Sequence, residues 1–208
     1  MQGYLDKRSA LISGAIRAVA KDGLENTTTR SIGKETNVND AYIYRFYNDK
    51  EDLLRTAFLE KSRKVLEVLM LTIQDSLQNN EELLFAGFQR AWEYLTQNPD
   101  TFRFGVFYYH SSGFNRYAAE EYRDYIRAVI YRLRKHMSIC AESEAIIQHL
   151  IDTLFIFAVK VADGILPNDQ STVDIVSNQL RGFFQAESEP DSVSKFEPNT
   201  HFMPKAAY

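Results

Sequence analysis

The chain of 208 residues has one cysteine, Cys140, and five prolines. A single thiol excludes an intrachain disulfide and a cysteine-rich metal centre. The four histidines, His110, His136, His149 and His201, are scattered and lack the paired spacing of metal ligands. There is no glycine-rich phosphate loop and no grouping of nucleophile, base and acid. Neither enzymatic activity nor a metal or cofactor is therefore expected. No apolar run reaches the roughly 18 residues that would indicate a membrane span. The N-terminal stretch MQGYLDKRSALISGAIRAVAKDG places Arg17 and Lys21 inside its apolar pattern, where a secretory leader would be unbroken. A cytoplasmic protein with no membrane partner is the expectation. No segment of useful length alternates with strand period, and no internal repeat occurs.

What is present is the composition of a core-forming globular protein, 45% hydrophobic and 25% charged. The net charge of -4 argues against an overall nucleic-acid coat. The charge is uneven, however. Residues 1–50 hold eight Lys and Arg against six Asp and Glu, a balance of +2 that leaves -6 for the remainder. The sign suits phosphate contact at one end of the molecule.

The first helix is expected from about Leu5 to Asp22, with Ile12, Ala15, Ile16 and Val19 recurring at three- and four-residue steps. Gly23 stops it. One of Thr27, Thr28 and Thr29 caps a second helix anchored by Ile32. Thr36-Asn37 is a polar break with Val38 tucked inside. Asn39 or Asp40 caps a third, short helix, and Asp49 caps a long fourth one from near Lys50. Tyr42, Tyr44 and Arg45 point away from the face that carries Ile43 and Phe46 or Tyr47. Two helices joined by a tight turn, the second presenting tyrosines and an arginine, form a unit that sets a recognition helix into a DNA major groove.

Together these features resemble the N-terminal domain of the TetR family of transcriptional regulators. The resemblance covers about a quarter of the chain: an amphipathic helix, then G-L-E-N-T-T-T-R-S-I-G, then V-N-D-A-Y-I-Y-R-F-Y-N-D-K-E-D-L. Ala41, Ile43, Tyr44, Phe46, Tyr47, Lys50, Glu51 and Leu53 occupy the family's small, apolar, aromatic and Lys-Glu positions. Asp40 stands where the family often has a basic or neutral residue, and Tyr42 is larger than the usual small one. Gly33 stands where alanine is common, at a cost of up to about 1 kcal/mol in helix propensity. Thr28, Tyr44 and Lys50 are expected to hold phosphates. Arg30, Asp40, Ala41, Tyr42 and Arg45 are expected to read groove edges, with Asn39 counted beside them among the DNA-binding candidates.

The rest of the chain reads as helices over Asn80 to Thr96, from Pro99, over Asn115 to Met137, Cys140 to Asp163 and Thr172 to Gln185. The fold expected is all-α: a three-helix DNA-binding domain in residues 1–49, a bundle in 50–185, and a loose tail in 186–208. The resemblance implies a ligand pocket in the bundle, where aromatic residues are dense. Candidates for its lining are Phe88, Trp92, Phe104, Tyr108, Tyr122 and Tyr125, with Arg103 and His110 as polar contacts. The segment Ile147 to Val161 is apolar over most of its circumference and must bury more than one face. Ile147, Ile151, Leu154, Phe155 and Ala158, with Val176, Leu180 and Phe183 beside them, are the expected dimer surface. The family pairs its last two long helices with their copies. The functional expectation is a homodimeric repressor on a near-palindromic DNA operator, released by an unidentified small-molecule effector. The competing reading is a ligand-binding or enzymatic helical bundle whose N-terminal motif is only structural.

Overall fold

The computed structural model describes residues 2–74, 80–136 and 143–186, and these are helical throughout apart from their turns. The expected tail from residue 187 onward and Cys140 lie outside them, as do the side chains of Phe88, Ile147, Ile151, Leu180 and Phe183.

Helix α1 (Gln2–Asp22) buries Leu11, Ile12, Ala15, Ile16, Ala18 and Val19 along one stripe. It ends at Gly23, whose φ of 79° lets its N–H return to the Val19 carbonyl at 2.9 Å. Helix α2 (Thr29–Thr36) crosses α1 closely. A Cβ at Gly14 would lie 2.1 Å from the Thr36 methyl and 3.0 Å from the Ile32 carbonyl oxygen, so only glycine allows this approach. The segment expected to act as the recognition helix is a 3₁₀ turn, Asp40–Tyr42, running into helix α3 (Ile43–Phe46). Helix α4 (Lys50–Gln74) starts where Asp49 Oδ1 accepts from the Asp52 N–H at 2.8 Å.

Helices α5 (Asn80–Gln97), α6 (Pro99–Tyr109), α7 (Ala119–His136), α8 (Ser143–Ala162) and α9 (Gln170–Ala186) build the bundle. Pro99 at the first position of α6 needs no N–H partner there. The expected helix from Asn115 instead opens with a π turn, Phe114–Ala118. Its entry is held by Ser111 Oγ, which accepts from the Phe114 N–H at 3.1 Å.

Two apolar cores hold these elements together. The larger runs from α1, Ile32 and Ile43 through Leu53, Leu54 and Phe58 of α4 to Phe104 and Tyr108 of α6 and Tyr122 and Ile126 of α7. The smaller joins Val65, Ala91, Trp92, Leu95, Phe102, Leu154, Ala158 and Val176. The helix–turn–helix and the bundle thus share one continuous core across the start of α4.

Candidate nucleic-acid interface and bundle cavity

Of the three threonines before α2, Thr28 is the cap. Its hydroxyl accepts from the Ser31 N–H at 3.1 Å, and Ser31 Oγ accepts from the Thr28 N–H at 2.9 Å. This reciprocal pair is a capping box built with serine. Thr27 is buried and donates to the Gly23 carbonyl at 2.8 Å, and Thr29 is the first helical residue. Asn37 ends α2 in the left-handed region, φ 55° and ψ 23°, which asparagine tolerates better than most residues. Gly33 faces the turn. A Cβ there would lie 2.8 Å from the Val38 carbonyl oxygen and 3.3 Å from the Asp40 nitrogen.

Asn39, not Asp40, caps the recognition segment: its Oδ1 accepts from the Ala41 N–H at 2.8 Å. Ile43 and Tyr47 are buried beneath it, while Ala41, Tyr44 and Arg45 are exposed, Tyr44 at 62%. Arg30 and Lys34 are exposed on α2. Tyr42 is reached by a residue that sequence reasoning missed. Lys7 of α1 donates to its hydroxyl at 3.2 Å and lies 4.3 Å from its ring centroid, with the Arg45 guanidinium at 5.3 Å. The Lys7 hydrogen bond and charge, helped by Arg45, lower the Tyr42 hydroxyl below the ordinary tyrosine range. Residue 7 stands in a helix whose local pattern speaks only of its own core face, so no signal in the sequence links it to residue 42.

Lys50 turns inward. Its Nζ donates to the Thr27 carbonyl at 2.8 Å, bracing α4 against the approach to α2. Arg17 and Lys21 engage Glu35 at 3.6 Å each, which ties α1 to α2.

The start of α4 is also fixed to the bundle. Glu51 is half-buried and packs its enclosed Oε1 against Gly113, where a Cβ would lie 2.1 Å from that oxygen. The Tyr108 hydroxyl faces this carboxylate without closing a well-shaped hydrogen bond. Burial, and then the Glu51 charge, hold that hydroxyl protonated far above its usual range. One turn on, Arg55 Nε donates to the Tyr117 carbonyl at 2.8 Å, and its guanidinium pairs with Glu121. Glu121 accepts in turn from the Tyr125 hydroxyl at 2.7 Å.

Behind this junction lies a cavity of about 110 Å³ between α4, α6, α7 and α8. Phe58, Ser62, Gly105, Val106, Tyr109, His110, Tyr122, Asp152, Phe155 and Ile156 line it. Of the residues expected to bind a ligand, His110 and Tyr122 are at this wall. Phe104 and Tyr108 are enclosed in the larger core, and Trp92 in the smaller. Tyr125 is directed to Glu121. Arg103 ties α6 to the end of α8 through Asp163 Oδ1 and the Ala162 carbonyl, both at 2.8 Å. Burial raises the Tyr109 and Tyr122 hydroxyls, with Asp152 contributing to both. Asp152 was overlooked, although it carried a signal: it is an acid within the most apolar helix of the chain.

Among the expected dimer residues, Leu154, Ala158 and Val176 are buried in the chain's own smaller core. Phe155 turns inward to the cavity and packs on Phe102, ring centroids 5.4 Å apart. Exposed positions on the same helices include Ile156, at the rim of the cavity, and Ile175, at 47% and 54% exposure. Among the described residues no group of three or more His, Cys, Asp or Glu is placed to hold a metal, and no helix is long and apolar enough to cross a membrane.

Comparison with known proteins agrees with this geometry. Residues 11–57 match the model for bacterial regulatory proteins of the tetR family. The fatty acid metabolism regulator protein of Bacillus subtilis (strain 168) is 29% identical over 77 residues, 37% of this chain and 40% of that protein. The HTH-type nicotine-responsive transcriptional repressor HdnoR of Paenarthrobacter nicotinovorans is 28% identical over 79 residues, 38% of this chain and 39% of that one. The matched region therefore spans about two fifths of each curated relative. The structure of the fatty acid degradation regulator FadR from Bacillus halodurans superposes with a TM-score of 0.70 at 20% identity, over 85% of this chain and 95% of that one. At that identity the likeness is one of fold. Residues 11–57 thus carry a helix–turn–helix similar to that of the tetR family, and the helices behind it follow the same fold as the solved regulator.

Proposed function

We propose that the chain is a sequence-specific DNA-binding transcriptional regulator, acting as a homodimeric repressor that a small ligand releases from its operator. The observation that carries this reading is the exposed face of the recognition segment. Tyr44 and Arg45 stand out from a helix turn whose other side, Ile43 and Tyr47, is locked into the core. Exposed tyrosine and arginine on a rigid short helix suit phosphate and base-edge contacts better than solvent. Arg30 stands beside the capped start of α2, where backbone N–H groups and the Thr28 hydroxyl favour a phosphate oxygen. Residues 1–49 are the reading head in this scheme, with Thr28, Arg30, Asn39, Asp40, Ala41, Tyr42, Tyr44 and Arg45 at or near the DNA. Lys50 acts from behind, through Thr27. Lys7 joins the same face through Tyr42.

A two-fold dimer would read a near-palindromic site with half-sites about one helical turn or slightly more apart. Its surface on α8 and α9 would use the exposed Ile156 and Ile175 rather than the enclosed Leu154 and Val176. The effector would act at the cavity, because its walls include α4, which carries the reading head, and α6 and α7, which anchor α4 through Glu51 and Arg55. The relatives named above answer to different chemistries, fatty acid metabolism in one case and nicotine in the other. Relatedness therefore does not choose the effector.

The test is fluorescence anisotropy with the DNA upstream of the protein's own gene, against unrelated DNA, across a salt series. The expected result is retention that falls steeply with salt and is stronger on one promoter fragment. Arg30→Ala should weaken binding on all sequences and lower the salt slope by roughly one. Arg45→Ala should weaken it mainly on the preferred fragment. No retention on any DNA at low salt would leave the helix–turn–helix a structural element only.

A further inference from the structure

The cavity carries a charge that its own walls do not neutralise. Asp152 is half-buried at its edge, and one carboxylate oxygen accepts from Gln148 Nε2 at 2.9 Å. That amide is neutral, and it lies 3.4 Å from the Tyr109 hydroxyl as well. Among the described residues no lysine or arginine forms an ion pair with Asp152, and His110, the basic side chain on the wall, forms none either. A carboxylate held partly out of water calls for a cation or for further donors.

The surroundings make the same demand. The rings of Phe58, Tyr109, Tyr122 and Phe155 stand around the space. Tyr109 and Tyr122 meet edge to face at 5.8 Å, and Phe58 and Tyr122 lie 5.5 Å apart. Ring faces present negative potential and attract ammonium groups. Burial, with the Asp152 charge contributing, raises both tyrosine hydroxyls, so they stay neutral beside the carboxylate. An anion would meet the carboxylate with like charge, and a purely apolar molecule would strip its water without replacing it. Size narrows the class further. The space of about 110 Å³ is of the order of the ~150 Å³ cavity that accepts benzene, and it is partly open, so a small ring can enter with its charged group at the half-buried Asp152. Gly105 supplies part of it: a Cβ there would already touch the Phe155 ring at 3.7 Å.

We propose that the effector of this protein is a small organic cation, an aryl or alkyl ammonium whose nitrogen sits against Asp152 and whose apolar part lies among Phe58, Tyr109, Tyr122 and Phe155. This rests on the cavity being the effector site of the regulator described above. Selectivity comes from the pairing of one carboxylate with the aromatic wall.

The experiment is calorimetric titration of the full chain with three probes of similar size at neutral pH: benzylamine as the cation, benzyl alcohol as the neutral match and benzoate as the anion. Benzylamine should bind at least about tenfold tighter than benzyl alcohol, and benzoate more weakly still. Asp152→Asn should lose at least about tenfold for benzylamine while leaving benzyl alcohol within about twofold. Asp152→Glu, which keeps the charge, should retain a preference for the cation. The inference is overturned if benzyl alcohol or benzoate binds as well as benzylamine, if Asp152→Asn binds the cation unchanged, or if none of the three binds. The same titrations with operator DNA present separate this from the regulatory reading. Cation binding without DNA release supports the cation site and fails the effector role. Retention on DNA with no cation preference fails the cation site and leaves the DNA-binding role standing.

Discussion

Single residues decide how the reading head is shaped. Gly33 looks costly in the sequence, because glycine lowers helix propensity by about 1 kcal/mol relative to alanine. In the fold it is required, since a Cβ would press on backbone atoms of Val38 and Asp40, which cannot swing aside as a side chain can. Gly33→Ala should therefore destabilise by about 1 kcal/mol or more despite its better propensity, as overpacking against fixed atoms does. Urea unfolding checks this, and an unchanged or raised midpoint would show that the turn adapts. Asp152 and Lys7 make a related point. Asp152 could be noticed in the sequence as an acid in an apolar helix, but its meaning needs Tyr109 and Tyr122 from two other helices. Lys7 gains its role only from the packing of α1 beside the recognition segment.

Secondary-structure elements were legible because their ends carry local chemistry. Thr28, Asn39 and Asp49 each place a side-chain oxygen on an N–H two or three residues ahead, and Gly23 and Asn37 accept left-handed backbone. These bonds form within a few residues, so the sequence around them is enough. The choice of Thr28 over its two neighbours was not, because it depends on Thr27 being drawn inward to Gly23. Thr28→Ala should cost about 1 kcal/mol of stability and Thr28→Ser much less, by chemical denaturation. Equal losses in the two variants would mean that the threonine methyl, rather than the hydroxyl, holds the start of α2. The π turn at Phe114–Ala118 was not visible either. It follows directly on Gly113, which sits close against Glu51, a residue far away along the chain.

At the scale of the molecule, the helix–turn–helix and the bundle meet through α4. Arg55 bridges to the Tyr117 carbonyl and to Glu121 with its side chain about one-third exposed, so the ion pair itself contributes little to stability. Its position matters more. Arg55→Ala should leave the unfolding midpoint within about 1 kcal/mol of the parent. It should nonetheless shift operator affinity or ligand-induced release by about threefold or more, because in the proposed scheme both sites act through the placement of α4. Anisotropy titrations with and without ligand read this directly, and unaltered affinity and release would move the coupling to the Glu51–Tyr108 contact or to the shared core.

Helix content, the approximate places of the caps, the inward stripe of α1 and the helix–turn–helix followed from the sequence alone, because each rests on interactions between residues at most a few positions apart. The larger aromatic load of residues 85–131 could be seen there but not divided. Only tertiary structure decided that Phe104, Tyr108 and Trp92 fill cores while Tyr109, Tyr122 and Phe155 face a cavity. Helical periodicity reports that a face is buried and not what buries it. The partner of each face is set by how α4, α6, α7 and α8 pack together, and that packing is also what brings Asp152 to the aromatic wall.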